Sequence, residues 1–426
     1  MLSVLVFVHE FGHFLLAKMN HINVDEFAFG MGPKIVSVNR NGTDYTWRLL
    51  PFGGACVMAQ DDIETGEKVE GSFSSAPVGR KIATILAGPF FNFLLAFFAA
   101  VIVIGVEGID PAYVTDIEVG SPAYEAGLRE GDLITVYQGN SIANARELYI
   151  DLTLDGVSPD VTTLTYSRDG ESHTISYQPE ISERWLLGFS YYLDSDTENG
   201  VEITSLSYHY PMERAGFEVG DILVAINGTP ITSADELSTY WAEHPMAGDS
   251  VEVTCLRNGK EITKTVTPIY DISGVMDFGF NMARYECTPI QTLKSSFGEI
   301  GYVIHATVKS LSSIVKGDVT LNDFSGPVGL VDDIGDVYEE AKTSGTLDLV
   351  MTMLNMLLLL SVNIGVMNLL PFPALDGGRF VFLVIEAIRG KPVKQSIEGM
   401  IHFAGIILLL VFMVVIMFND IKNIIL

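Results

Sequence analysis

The first nineteen residues, MLSVLVFVHEFGHFLLAKM, form an apolar run that carries His9, Glu10 and His13 inside it. Two histidines four apart lie one turn from each other on the same helix face. Both imidazoles can therefore reach one metal ion, and the intervening glutamate stands beside the water that such an ion activates. Ionisable side chains in a membrane helix are costly and mark a site facing the protein interior. A secretory signal peptide also has a short apolar core, but this segment lacks a basic start and a small-residue cleavage pattern, and cleavage would discard the motif. It is read as a retained span whose outer end is short by a few residues.

Three further stretches, roughly 82–105, 349–370 and 401–418, are long and apolar enough to cross a hydrocarbon core that needs about 20 helical residues. With 48% hydrophobic residues and a mean hydropathy of +0.33, the chain reads as a polytopic α-helical membrane protein with four transmembrane helices and a substantial water-exposed part. Loop 371–400 carries Arg379, Arg389, Lys391 and Lys394, and loop 20–81 carries Lys34, Arg40, Arg48, Lys68, Arg80 and Lys81. Both read as cytoplasmic by the positive-inside tendency. Segment 107–348 holds 40 acidic against 13 basic residues, a net of −27 out of −28 for the chain, which fits an exterior location. So acidic a chain is a poor partner for nucleic acid. Cys56, Cys255 and Cys287 show no CxxC spacing; the last two are both exterior in this topology and could pair.

A third metal ligand is sought at Asn368-Leu369-Leu370-Pro371-Phe372-Pro373-Ala374-Leu375-Asp376-Gly377-Gly378. Two prolines end the third span there, and the first and third spans run in the same direction. Asp376 and His13 then sit at similar depth near the inner face. On its own, Asp376 reads first as a solvated turn residue, and that reading weakens once the two histidines need a third ligand.

HExxH in a first span with NxxPxPxLDG at the end of a later one resembles the site-2 protease family of intramembrane zinc metalloproteases, in its bacterial regulator-of-sigma-E branch. The likeness extends to GMGPK at 30–34, GPFFN at 88–92 and SGPVG at 325–329. It implies one Zn2+ per chain on His9, His13 and Asp376, with Glu10 as catalytic base. It also implies that Asn368 helps to hold substrate or the developing oxyanion.

The acidic segment contains a repeat. Pro122, Ala126, Gly127, Gly131, Asp132, Arg168 and Gly170 recur 89 positions on as Pro211, Ala215, Gly216, Gly220, Asp221, Arg257 and Gly259. The copies resemble tandem PDZ domains of the circularly permuted bacterial type, with Leu187-Gly188-Phe189 and Phe278-Gly279-Phe280 as peptide-binding loops for exterior C-termini. They also read as bland β-rich spacers, or as size filters. The expected layout is a first span at 1–19, a membrane-associated loop at 20–81, a second span at 82–105, PDZ domains at 106–195 and 196–285, an amphipathic helix and linker at 286–348, a third span at 349–370, a cytoplasmic loop at 371–400 and a fourth span at 401–418.

Residues 34–58 predict a hairpin turning at Asn41-Gly42, which reads equally as an edge able to pair with substrate or as a hairpin that only packs on the helices. Ile290, Leu293, Phe297, Ile300, Ile304, Val308, Leu311 and Ile314 predict an amphipathic helix against the membrane or the PDZ pair. His21, His173, His209, His244, His305 and His402 complete no metal spacing and are read as structural or surface residues. The family likeness implies an endopeptidase for pre-trimmed single-span membrane proteins, such as anti-sigma factors, or for remnant signal peptides, in a bacterial inner membrane and in contact with its lipid. The alternatives are a non-proteolytic PDZ adaptor, which needs neither Glu10 nor Asp376, and a metal transporter, which gains nothing from a glutamate between the histidines.

Overall fold

The computed structural model describes residues 1–61, 69–192, 200–207, 210–316 and 326–425; Ser325 and His209 lie outside them. The chain divides into two compact units, one of Met1–Asp110, Ala283–Ser310 and Leu321–Leu426, the other of Pro111–Met282 with Leu311–Thr320.

In the first unit, four helices among the described residues are long and apolar enough to cross a membrane. They are Leu2–Met19, Val78–Glu107, Thr346–Leu369 and Ser396–Phe418. Between apolar helices, close approach of small residues substitutes for a hydrophobic driving force. Ala96, Ala99 and Ala100 of the second helix are buried against Leu358, Val362 and Val366 of the third. Gly12 does the same between the first and second, since a Cβ there would stand 2.5 Å from Ala87 O.

Lys81 and Glu386 form a 2.9 Å ion pair that ties the second helix to the helix Asp376–Arg389, with Lys81 buried. Lys81→Ala leaves the Glu386 carboxylate without its partner. It is expected to cost about 3–5 kcal/mol, read as a lower melting temperature in detergent. An unchanged melting temperature would mean that water already screens the pair.

The predicted hairpin begins earlier than expected, with strands Val24–Arg40 and Thr43–Met58. Its turn is as read: Asn41 (φ 53°) and Gly42 (φ 78°) both adopt the left-handed region that a two-residue turn needs. Each long strand then bends. Phe27 pairs with both Cys56 and Tyr45, and Val36 with Trp47. The result is a small sheet in the order 54–58, 24–29, 43–48, 34–40, with 54–58 at one edge. Glu26 pins the bend through Arg48 at 2.8 Å and Lys34 at 3.1 Å. Burial pushes the Glu26 carboxyl up, but hydrogen bonds from Arg48 and Lys34 outweigh it and hold it below the usual carboxylate range.

The amphipathic helix runs Pro289–Lys316, and its apolar stripe is only partly packed: Ile300 and Ile304 join the core of the second and third spans. Ile290, Leu293, Phe297 and Val308 are exposed, while Thr292, Ser296, Ile300 and Val303 are buried. Thr307 Oγ1 donates to Asn363 Oδ1 on the third span at 2.5 Å. Small and hydroxylated side chains allow close helix packing, and Ile290, Leu293 and Val308 of the stripe are left exposed.

In the second unit the expected linear division at 195/196 is corrected by strand pairing. Phe278–Phe280 pairs with Val114–Ile117, and Phe278 belongs to the core of Leu128, Ile134, Leu148 and Leu164. Leu187 belongs instead to the core of Leu223, Ile226, Leu237 and Val253. One β domain is thus inserted into the other, and a ribbon of Glu180–Leu186 paired with Ile269–Val275 leads in and out. The repeat also acquires a physical reason. Arg168 pairs with Asp132 at 2.6–2.7 Å, and Arg257 with Asp221 at 2.7 Å. Each aspartate also accepts from a backbone N–H three residues back, and each arginine caps the Gly127 or Gly216 carbonyl. Cys56, Cys255 and Cys287 are all free, so the pairing considered for the last two does not form.

Candidate metal centre

His9 and His13 project from the first helix, and Asp376 opens the helix Asp376–Arg389. Asp376 Oδ2 lies 3.0 Å from His9 Nε2 and 3.1 Å from His13 Nε2, and the two nitrogens are 3.2 Å apart. Donors at about 2.0 Å around a tetrahedral ion stand about 3.3 Å from one another, so the triangle has the size zinc requires. Among the described residues it is the one group of three His, Cys, Asp or Glu side chains gathered closely enough to share an ion.

The atoms behind the ligands also fit. His13 Nδ1 donates to Thr84 O at 2.9 Å, which leaves Nε2 with its lone pair. His9 Nδ1 faces the fully buried Asn92 amide, 3.2 Å from Nδ2, while Asn92 Oδ1 has no hydrogen-bond partner among the described residues. A half-turn of that amide offers Oδ1 to His9 Nδ1–H, the tautomer that a metal on Nε2 demands. Gly88 supplies room, because a Cβ there would stand 2.4 Å from His13 Nε2 and 2.7 Å from His9 Nε2.

Delivery of Asp376 depends on a tight reversal after Leu369. Pro371 and Pro373 prevent helix continuation, and Ala374 takes a φ of +87°. A Cβ on Gly377 would fall 2.2 Å from Leu370 O, and one on Gly378 2.3 Å from Phe372 O. The glycines after the aspartate are thus a steric requirement. Burial pushes the Asp376 carboxyl up, but hydrogen bonds with His13 and His9 outweigh it and hold it below the usual range. The helix N-terminus favours the same anion.

Glu10 is half-buried, and its Oε2 accepts from the Cys56 N–H at 2.9 Å. His9, Glu10, His13, Asn368 and Asp376 line one cavity of about 290 Å³. Burial, and then the Glu10 charge, push the Cys56 thiol up to about 12. It is a neutral neighbour and not a rival thiolate ligand.

The sequence matches the description "Peptidase family M50" over residues 1–412. The chain belongs to this family. It is 31% identical over 438 residues to "Zinc metalloprotease RasP" of Geobacillus kaustophilus, covering 99% of this chain and 96% of that one. It is 28% identical over 451 residues to "Regulator of sigma-E protease RseP" of Escherichia coli, covering 98% and 96%. Among solved structures it is similar to the HtrA3 PDZ domain bound to a phage-derived ligand, at 17% identity and a TM-score of 0.19, covering 22% of this chain and 93% of that one. M50 is the zinc-dependent site-2 protease family, and this member is a metalloprotease.

In this M50 peptidase the five residues of the expected active site come together, although they come from two segments more than 350 residues apart, 9–13 and 368–376. The two expected peptide-binding loops lie in the second unit. Leu187 is a core residue, and Gly188 O accepts from Ser207 N at 2.9 Å. In the other domain, Ala123 N–H donates to Asp277 Oδ2 at 2.7 Å beside Phe278. Sequence reading missed the contributions of Gly88, Asn92 and Thr84. Their signal was a glycine and an asparagine four apart in an otherwise apolar span. It also placed the substrate-pairing edge only generally on the hairpin. The structure brings 54–57 against Glu10, and among the described residues this strand pairs on one side alone, with 24–29.

Proposed function

We propose that this M50 peptidase is an intramembrane endopeptidase that cuts single-span membrane proteins, with His9, His13 and Asp376 holding one Zn2+ and Glu10 acting as general base. The observation that carries this reading is the triangle of three inward-facing donor atoms in the same cavity as Glu10 and a one-sided strand. Bound zinc supplies Lewis acidity that polarises the scissile carbonyl and lowers the pKa of the attacking water. Glu10 takes the proton from that water and passes it to the leaving amine. The Asn368 amide donates to the charge developing on the carbonyl oxygen. Strand 54–57 pairs with the substrate backbone and replaces the helical hydrogen bonds that must open before a peptide bond can reach the site.

The substrate class is a trimmed anti-sigma-type protein or a remnant signal peptide. In this reading the nested β domains are PDZ modules on the exterior side of a bacterial inner membrane. They admit only substrates whose ectodomain has been removed, or take an exterior C-terminal carboxylate at Leu187-Gly188-Phe189 and Phe278-Gly279-Phe280. The cavity faces the cytoplasmic side, and the exposed apolar residues of Ser396–Phe418 meet lipid.

The test is cleavage of a tagged single-span substrate with helix-weakening residues, in liposomes, with and without phenanthroline. A fragment that disappears with the chelator and returns on adding zinc is the expected result. Cleavage indifferent to the chelator would overturn the zinc assignment. No cleavage of any trimmed substrate by zinc-loaded protein would leave the adaptor reading in its place.

A further inference from the structure

We infer that His402 is a positioning residue for the metal site: it holds the strained turn that presents Asp376, and so sets zinc affinity from outside the coordination sphere. This rests on the assignment of Asp376 as a ligand. Ala374, two residues before Asp376, has a φ of +87°, a left-handed conformation that side chains other than glycine adopt at a cost. Its neighbours Pro371 and Pro373 carry no N–H, so the reversal has few donors with which to fasten itself. Phe372 N–H bonds to Leu370 O and Leu375 N–H to Phe372 O within the turn, but the Ala374 N–H leaves the turn altogether. It donates to His402 Nδ1 at 2.9 Å, on the helix Gln395–Ile425.

That helix is fitted to the turn. Gly405, one helical turn after His402 and so on the same face, packs where a Cβ would stand 2.4 Å from Pro373 O. The His402 ring is held against Phe382 of the aspartate-bearing helix, with centroids 5.5 Å apart. Because Nδ1 accepts, Nε2 carries the ring proton, and it lies 3.9 Å from Glu398 Oε1. Nε2 makes no hydrogen bond among the described residues, so the ring is held by the Ala374 N–H and the Phe382 contact, and its acceptor nitrogen is spent on the backbone of the ligand loop, not on a metal.

The experiment measures zinc affinity of the full-length protein in detergent by competition with a chromophoric chelator, beside its thermal stability without metal. His402→Ala is expected to weaken zinc binding about 10- to 100-fold, the usual effect of removing a group that orients a ligand. His402→Asn, whose side chain can place an acceptor near the Nδ1 position, is expected to bind nearly as wild type does. In the His402→Ala background, Ala374→Gly removes the strain that His402 offsets, and most of the affinity should return. A His402→Ala protein with wild-type affinity would overturn the inference. So would a loss that neither His402→Asn nor Ala374→Gly repairs, because that pattern belongs to general packing. If wild type itself takes up no zinc, the ligand assignment fails instead, which is a separate result.

Discussion

Glu10→Gln is expected to abolish peptide cleavage while leaving one zinc per chain in place. Glu10 is not among the three donors gathered closely enough to share an ion; its Oε2 accepts from the Cys56 N–H, 2.9 Å away on the edge strand. Glutamine keeps the size of the side chain but cannot accept and return a proton, so the loss should be about 10²- to 10⁴-fold in turnover. The two halves of the result must be measured together, turnover on a single-span substrate and metal content of the same preparation. Cleavage at the wild-type rate with zinc bound would remove Glu10 from the mechanism. Loss of both zinc and activity would show that Glu10 acts by shaping the ligand set.

Gly88→Ala should be nearly as damaging, though it alters no ligand. The added Cβ would stand 2.4 Å from His13 Nε2, the atom assigned to the metal in the proposed site. The ring cannot move aside easily, because its Nδ1 is bonded to Thr84 O one turn earlier on the same helix. The imidazole must tilt or the helices must part, and overpacking of this kind costs about 1–3 kcal/mol. We expect zinc affinity to fall at least about 10-fold, the lower end for loss of a ligand's support. Activity should recover in part at excess zinc. A Gly88→Ala protein with wild-type zinc affinity would mean that the first two helices do not approach this closely.

The chemistry was legible because it depends on short spacings. HExxH fixes two imidazoles and a carboxylate on one helix whatever the helix packs against, and the apolar runs fix which segments can span a bilayer. Asn41-Gly42 specified its turn through the backbone angles only such residues adopt readily. The 89-residue repeat likewise carried its meaning locally, since each Asp–Arg pair clamps a turn within its own copy.

What sequence left undecided were relations between distant segments. The nesting of the two β domains could not be read from the repeat. Leu187-Gly188-Phe189 and Phe278-Gly279-Phe280 are interchangeable by pattern, and only pairing to Val114–Ile117 shows which domain the second completes. The apolar stripe of Pro289–Lys316 announced an amphipathic helix, but spacing cannot say which of its residues, such as Ile300, are buried and which, such as Ile290, are exposed. His402 looked incidental because its partner is a backbone N–H 28 residues away.

By itself, then, the sequence determined that two histidines and a glutamate share one helix, that four stretches are long and apolar enough to span a membrane, and that a turn ends the third. Those follow from periodicity and backbone preference within a few residues. The tertiary structure alone decided that Gly88 leaves room for the ligands, that Asn92 and Thr84 face their far nitrogens, and that strand 54–57 passes beside Glu10. These are contacts between surfaces brought together by packing, and a one-dimensional pattern contains no term for the distance across them.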